Sequence, residues 1–173
     1  RETTELVAAR AWTAARERLD DAARQHLQSW MIATRNLGKG TGRYAAARRR
    51  KARGLLERCR EAVPGWIMPL YRVAEQVEPT PGAFDVVIVD EASQCGIEAV
   101  GLAWIASRLV VVGDDEQISP TVIIEREPLY RLASKHLDRD PVAAVLEPDT
   151  SLFDLGRVWF DDPVRLREHF RCM

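Results

Sequence analysis

The sequence predicts an α/β fold: a parallel sheet with helices on both faces, preceded by a helical insertion or hairpin. Three observations carry this reading. Residues 2–36 are rich in Ala, Leu, Arg and Glu and contain neither Pro nor Gly, as a helix requires. Two short runs, "VVIV" at 86–89 and "LVVV" at 109–112, are continuously apolar and almost wholly β-branched, as expected of central strands covered on both faces. Both runs end in acid: Asp90 and Glu91 after the first, Asp114, Asp115 and Glu116 after the second.

The helical part comes first. Leu6, Ala9, Trp12 or Thr13, Arg16 and Leu19 fall at helical spacing, so residues 2–36 form one long helix or two shorter ones, with Trp12 and Trp30 expected as core anchors. "GKGTG" at 38–42 interrupts the pattern, and "YAAARRRKARGLLERCREA" resumes it until Pro64. This places an arm at 1–62 and a core at 63–173. A phosphate loop needs GxxxxGK followed by Ser or Thr, between a buried strand and a helix. In "GKGTG" the residue after the last glycine is Arg43 and the preceding stretch reads as helix, so a basic turn between helices is the better account.

After Pro64 the period shortens. "GWIMPLY", "FDVVIVD", "RLVVVGD" and "VRLREHF" read as strands, separated by helix-like stretches such as "GIEAVGLAWIAS". In open parallel sheets ligands bind beyond the carboxyl ends of the strands, so the acids after the two apolar runs would share one rim. There a cation and water compensate charges whose burial would otherwise cost several kcal/mol.

With 173 residues, 46% hydrophobic and 29% charged, the chain has the size and apolar content of one globular domain. No apolar run reaches the roughly 18 residues of a membrane span, and the first ten residues lack the apolar stretch of a signal peptide, which makes the cytoplasm the expected compartment. Cys59, Cys95 and Cys172 are odd in number and far apart, giving neither a disulfide framework nor a zinc knuckle; His169 and Cys172 are only two ligands. The Arg at one end and "RLREHFRCM" at the other suggest a piece of a longer polypeptide.

The net charge of −1 hides a division. Residues 1–82 carry 16 Lys and Arg against 9 Asp and Glu, and residues 83–173 carry 9 against 17. Between Arg35 and Arg60 only Glu57 is acidic. Such a run is either a solvated helix face or a phosphate-contacting surface, and composition does not separate the two. Lys39, Arg43, Arg48, Arg49, Arg50 and Lys51 are the candidates for nucleic-acid contact, with Tyr71 and Arg72 in the "PLYRV" loop.

An apolar strand ending in Asp-Glu is the Walker B pattern of ATP-hydrolysing P-loop proteins. Here "VDEASQ" is followed, after a helix-length spacer, by "VVVGDDEQISP" and then by "LREHFRC". In that order and spacing the three stretches resemble motifs II, III and the arginine-bearing motif IV of superfamily 1 helicases, in the branch of the nonsense-mediated-decay helicase and its Dna-two-like relatives. The resemblance covers roughly residues 63–173 and implies part of a RecA-like core, with the helical first third similar to insertions that this branch carries.

The resemblance implies roles for particular residues. Asp90 would coordinate magnesium, mostly through water, and Glu91 would be the catalytic carboxylate. Gln117 would contact the γ-phosphate of ATP or the attacking water, Arg171 would reach the γ-phosphate as charge builds, and Asp114 would brace the rim. The family's Walker A loop and second RecA-like domain are not in this sequence, so the isolated fragment is expected to be inactive. For the parent the expectation is an ATP-dependent helicase or translocase on DNA or RNA, with single-stranded nucleic acid and the second RecA-like domain as partners and no membrane. An ATP-driven switch that binds nucleic acid without unwinding it, and a non-catalytic protein-interaction module, are the alternatives.

Overall fold

The computed structural model describes residues 2–37, 42–114, 125–137, 139–160 and 162–166. The chain forms two compact units, one up to Pro79 and one from Thr80 onward.

The first unit is helical. Helix α1 spans Glu2–Arg18 and α2 spans Asp21–Arg35, so the expected helical stretch is two helices. Asp20 makes the break: its carboxylate accepts from the Ala23 amide at 2.7 Å and caps α2, a contact generally worth about 1 kcal/mol. Helix α3, Ala45–Cys59, follows and runs into a 3₁₀ turn at Arg60–Ala62. Helix α2 packs on α3 through Ala33, Leu37 and Ala52, with Leu55 alongside; the two alanines let the backbones approach closely.

Two expectations need correction here. Trp12 is 72% exposed rather than a core anchor. The half-buried positions of α1 are Ala14, Ala15 and Leu19, at and just beyond its C-terminal turns, so Trp12 lies a turn too early to join the contact. Trp30 does pack, edge-on against Trp66 with ring centroids 5.1 Å apart. "GWIMPLY" is not a strand either. Residues 65–69 are irregular, Ile67 is fully exposed, and α4 begins at Leu70 and runs to Gln76. Pro64 and Pro69 bracket the segment, and each lacks the N–H that a ladder needs.

The second unit is a parallel α/β arrangement. Strand β1, Val87–Val89, pairs with β2, Leu109–Val111, in the register Val87 with Leu109, Ile88 with Val110 and Val89 with Val111. The crossover runs through 3₁₀ turns at Ala92–Gln94 and Ile97–Val100 and the short helix α5, Gly101–Ile105. Helix α6 spans Arg126–His136 and α7 spans Leu152–Trp159. A reciprocal cap starts α7: the Asp154 amide donates to the Ser151 hydroxyl oxygen at 3.1 Å, and the Ser151 amide donates to the Asp154 carboxylate at 2.9 Å. Residues 164–166 are irregular, and the rest of the "VRLREHF" segment lies outside the described residues.

Side chains alternate across a strand, which divides the sheet into two rows. Val89 and Val111 belong to the inward row; Gly156 of α7 lies against Val111, whose Cγ1 would be 3.5 Å from a Cβ built on the glycine. Leu152 and Leu155 of the same helix are fully buried, and Leu155 joins Leu129, Ala133, Val142 and Leu146 in the core. Val86, Ile88, Val110 and Val112 form the outward row and are exposed.

Candidate functional site

The acidic ends of β1 and β2 come together through a break in the hydrogen-bond ladder. In a regular parallel pair each acceptor-to-donor step advances two residues along a strand. The Val87 amide donates to Arg108 and the Val112 amide donates to Val89, so the next donor to Val112 should be Glu91. The Ala92 amide takes that bond instead, at 2.8 Å. One extra residue is thus inserted, and Glu91 occupies the left-handed region at φ 54, ψ 39; among the described residues no other non-glycine has positive φ. This is a β-bulge, the device that turns a side chain away from a sheet and ends pairing. The amide that Glu91 removes from the ladder donates to its neighbour's carboxylate, Asp90 Oδ1, at 3.0 Å.

The consequence answers the electrostatic problem of an acidic pair after an apolar strand. Val89 is buried, whereas Asp90 and Glu91 are exposed. Asp90 falls in the outward row by alternation, and the bulge turns out Glu91, which would otherwise follow Val87 and Val89 inward, so both carboxylates leave the sheet within two residues of the core. Asp114, also exposed, leaves β2 at the same end, and its amide donates to the Ser93 hydroxyl at 3.0 Å. Ser93 was not among the residues expected from sequence; a serine two positions after an acid carries no periodic signal, and its use depends on the bulge.

The donor set fits magnesium, which takes one or two carboxylates and completes its shell with water and substrate phosphates. Asp90 keeps one oxygen outside the Glu91 contact, and Asp114 adds a second carboxylate on the same rim. Among the described residues no group of three or more His, Cys, Asp or Glu would hold a metal ion by itself. Cys95, at the end of the turn, is half-buried; burial and the nearby Glu98 carboxylate raise its thiol pKa, so it is a poor nucleophile. Gln117 and Arg171 lie outside the described residues.

The basic candidates divide into two groups. Arg49 faces Glu75 at 3.7 Å, and Arg72 pairs with Glu75 at 3.0 Å while its guanidinium lies 5.2 Å from the Tyr71 ring. Arg48 donates to the Asn36 carbonyl at 3.1 Å, and Arg43 lies over the Tyr44 ring at 5.9 Å. Arg50 and Lys51 are exposed and make no ion pair among the described residues; Arg58 lies two turns further along α3, also exposed. Lys39 is outside the described residues. Arg53, absent from the expected set, clamps the end of α4: Nε donates to the Glu75 carbonyl at 3.0 Å, Nη2 to the Ala74 carbonyl at 2.8 Å, and Nη1 lies 3.7 Å from Glu78. Part of the basic run is therefore internal structure.

Residues 72–125 match a family model described as an AAA domain. The matched stretch runs from α4 through both strands and the acidic rim, and it is similar to a P-loop NTPase domain of the type found in superfamily 1 helicases. A search of curated proteins and one of solved structures found no match. No helix among the described residues is long and apolar enough to cross a membrane.

Proposed function

We propose that this chain carries part of the ATPase core of a superfamily 1 helicase or translocase, of the nonsense-mediated-decay helicase and Dna-two-like branch. The observation that carries the reading is the bulge at Glu91, which presents two adjacent carboxylates at the carboxyl end of a parallel strand, with Asp114 tied beside them. The match of residues 72–125 to an AAA domain supports the same class.

In this reading Asp90 would hold magnesium, mostly through water, and Asp114 would brace the rim beside it. Glu91 orients the attacking water and accepts its proton. Bound magnesium supplies charge neutralisation for the β- and γ-phosphates. Gln117 reads the γ-phosphate and Arg171 stabilises the charge that develops on it. Arg50 and Lys51 contact the phosphates of single-stranded DNA or RNA together with Lys39, joined by Arg43, Arg48, Arg49, Tyr71 and Arg72 only where their internal partners release them.

The test is Glu91→Gln in the intact protein. Nucleic-acid-stimulated ATP turnover should fall by about two orders of magnitude or more, the scale on which one catalytic group acts, while ATP binding persists. Unchanged turnover would remove the assignment of the base. Strand-displacement assays alongside translocation assays separate a helicase from a switch that does not unwind.

A further inference from the structure

We propose that the Ser93 hydroxyl is a positioning group that locks Asp114 to the Asp90–Glu91 bulge, so that the acids of two different strands are presented as one unit. The proposal rests on the nucleotide-hydrolysing reading above and deepens it.

The need for such a group follows from where the ladder fails. Beyond Val112, the next amide of the second strand able to bond across is Asp114. Its acceptor in a regular ladder would be the Glu91 carbonyl or, with the bulge counted, the Ala92 carbonyl. Both are committed to the 3₁₀ turn: Glu91 accepts from the Gln94 amide at 2.9 Å and Ala92 from the Cys95 amide at 3.2 Å. Ser93 supplies the acceptor from its side chain, with Oγ 3.0 Å from the Asp114 amide and the residue only 5% exposed. Pairing thus extends past the strand end by substituting a hydroxyl for a backbone carbonyl.

Two neighbours hold that hydroxyl in place. Gly113 packs so closely that a Cβ on it would stand 3.1 Å from Ser93 Oγ and 2.7 Å from Phe153 Cδ2. The Cys95 carbonyl accepts from the Leu152 amide at 2.7 Å, which fastens the turn after Ser93 to the start of α7. Alanine at 93 would keep the turn but leave the Asp114 amide without this acceptor, so Asp114 would shift relative to Asp90 and Glu91. A displacement of about 1 Å at reacting groups is enough to cost roughly a hundredfold in rate.

The experiment uses the intact protein with Ser93→Ala, Gly113→Ala and Glu91→Gln. For Ser93→Ala we expect ATP kcat to fall at least tenfold with KM for ATP within threefold, and amide exchange at Asp114 to accelerate at least tenfold while the β1 amides keep their protection. Gly113→Ala, which displaces the same hydroxyl by a different route, should give the same kcat-against-KM split. If Glu91→Gln abolishes turnover while Ser93→Ala leaves kcat unchanged, the latch is overturned; unchanged exchange at Asp114 overturns it as well. If Glu91→Gln itself has no effect, the hydrolysis reading fails, and the exchange measurement still decides whether Ser93 holds Asp114.

Discussion

The Ala92 amide bonds to the Val112 carbonyl at 2.8 Å, in the place that strand register assigns to Glu91. With this one-residue offset go the left-handed backbone of Glu91, the diversion of its amide to Asp90, and the exposure of the Glu91 carboxylate beside that of Asp90, two positions beyond a buried valine.

Strain at Glu91 sets up a trade between stability and activity. A non-glycine residue in a sparsely populated region costs of order 1–3 kcal/mol, and glycine relieves the steric part at some cost in unfolded-chain entropy. Glu91→Gly is expected to unfold at an equal or higher urea midpoint than the parent while losing ATP turnover. A midpoint lowered by more than about 1 kcal/mol equivalent would mean the bulge is absent in solution.

Neighbouring arginines on α3 should behave differently. Arg53 makes two charge-assisted bonds to the end of α4 and is half-buried, so Arg53→Ala is expected to destabilise the protein by about 1.5–3 kcal/mol in urea unfolding. Arg50→Ala with Lys51→Ala should change stability by less than about 0.5 kcal/mol per site. The same pair should flatten the dependence of log affinity on log salt for single-stranded nucleic acid by about 1.4, from roughly 0.7 per phosphate contact. A slope equal to the parent's would leave these two as a solvated face.

Packing under the second acidic strand end is tight enough to test with a double-mutant cycle. Gly113→Ala places a methyl 2.7 Å from Phe153 and should cost about 1–3 kcal/mol. Phe153→Leu opens that space, so the double variant should be more stable than the sum of the two singles predicts. Strict additivity would place the ring elsewhere.

Cys59 provides a pH-dependent probe of the helical unit. It is 1% exposed, and burial raises its thiol pKa. Because the folded value exceeds the unfolded one, the contribution is fully present below about pH 8.5 and is lost as pH climbs through the folded value. Thiol labelling at pH 8 should therefore be slow at Cys59 in the folded protein and rapid in urea, and stability should decline above about pH 9 more in the parent than in Cys59→Ala. Fast labelling under native conditions would contradict the burial of Cys59 at the end of α3.

How much of this was legible in the sequence depended on whether a residue's role was local. Strands β1 and β2 stood out because a continuous β-branched run has few other uses, and the acids after them pointed to a ligand rim. Helix α7 was not assigned: it is eight residues long and contains Gly156, yet Ser151 and Asp154 stood at capping-box spacing and could have signalled its start. "GWIMPLY" misled because an apolar run without a partner strand looks like one with a partner. Trp12 was placed inside by residue type, although the contact of α1 falls nearer its C-terminal end. Ser93 and Arg53 were invisible because each bonds to backbone at positions that only the folded chain brings near: 21 residues away for Asp114 and for Ala74, and 22 for Glu75.

The outward row of Val86, Ile88, Val110 and Val112 has a practical outcome for anyone handling this stretch by itself. A two-stranded ribbon with β-branched side chains on an exposed face, its charges confined to the strand ends, is a template on which further extended chain can stack. Prepared alone and concentrated, it should self-associate through cross-strand growth, and a lysine at Ile88 should act as a gatekeeper that slows it.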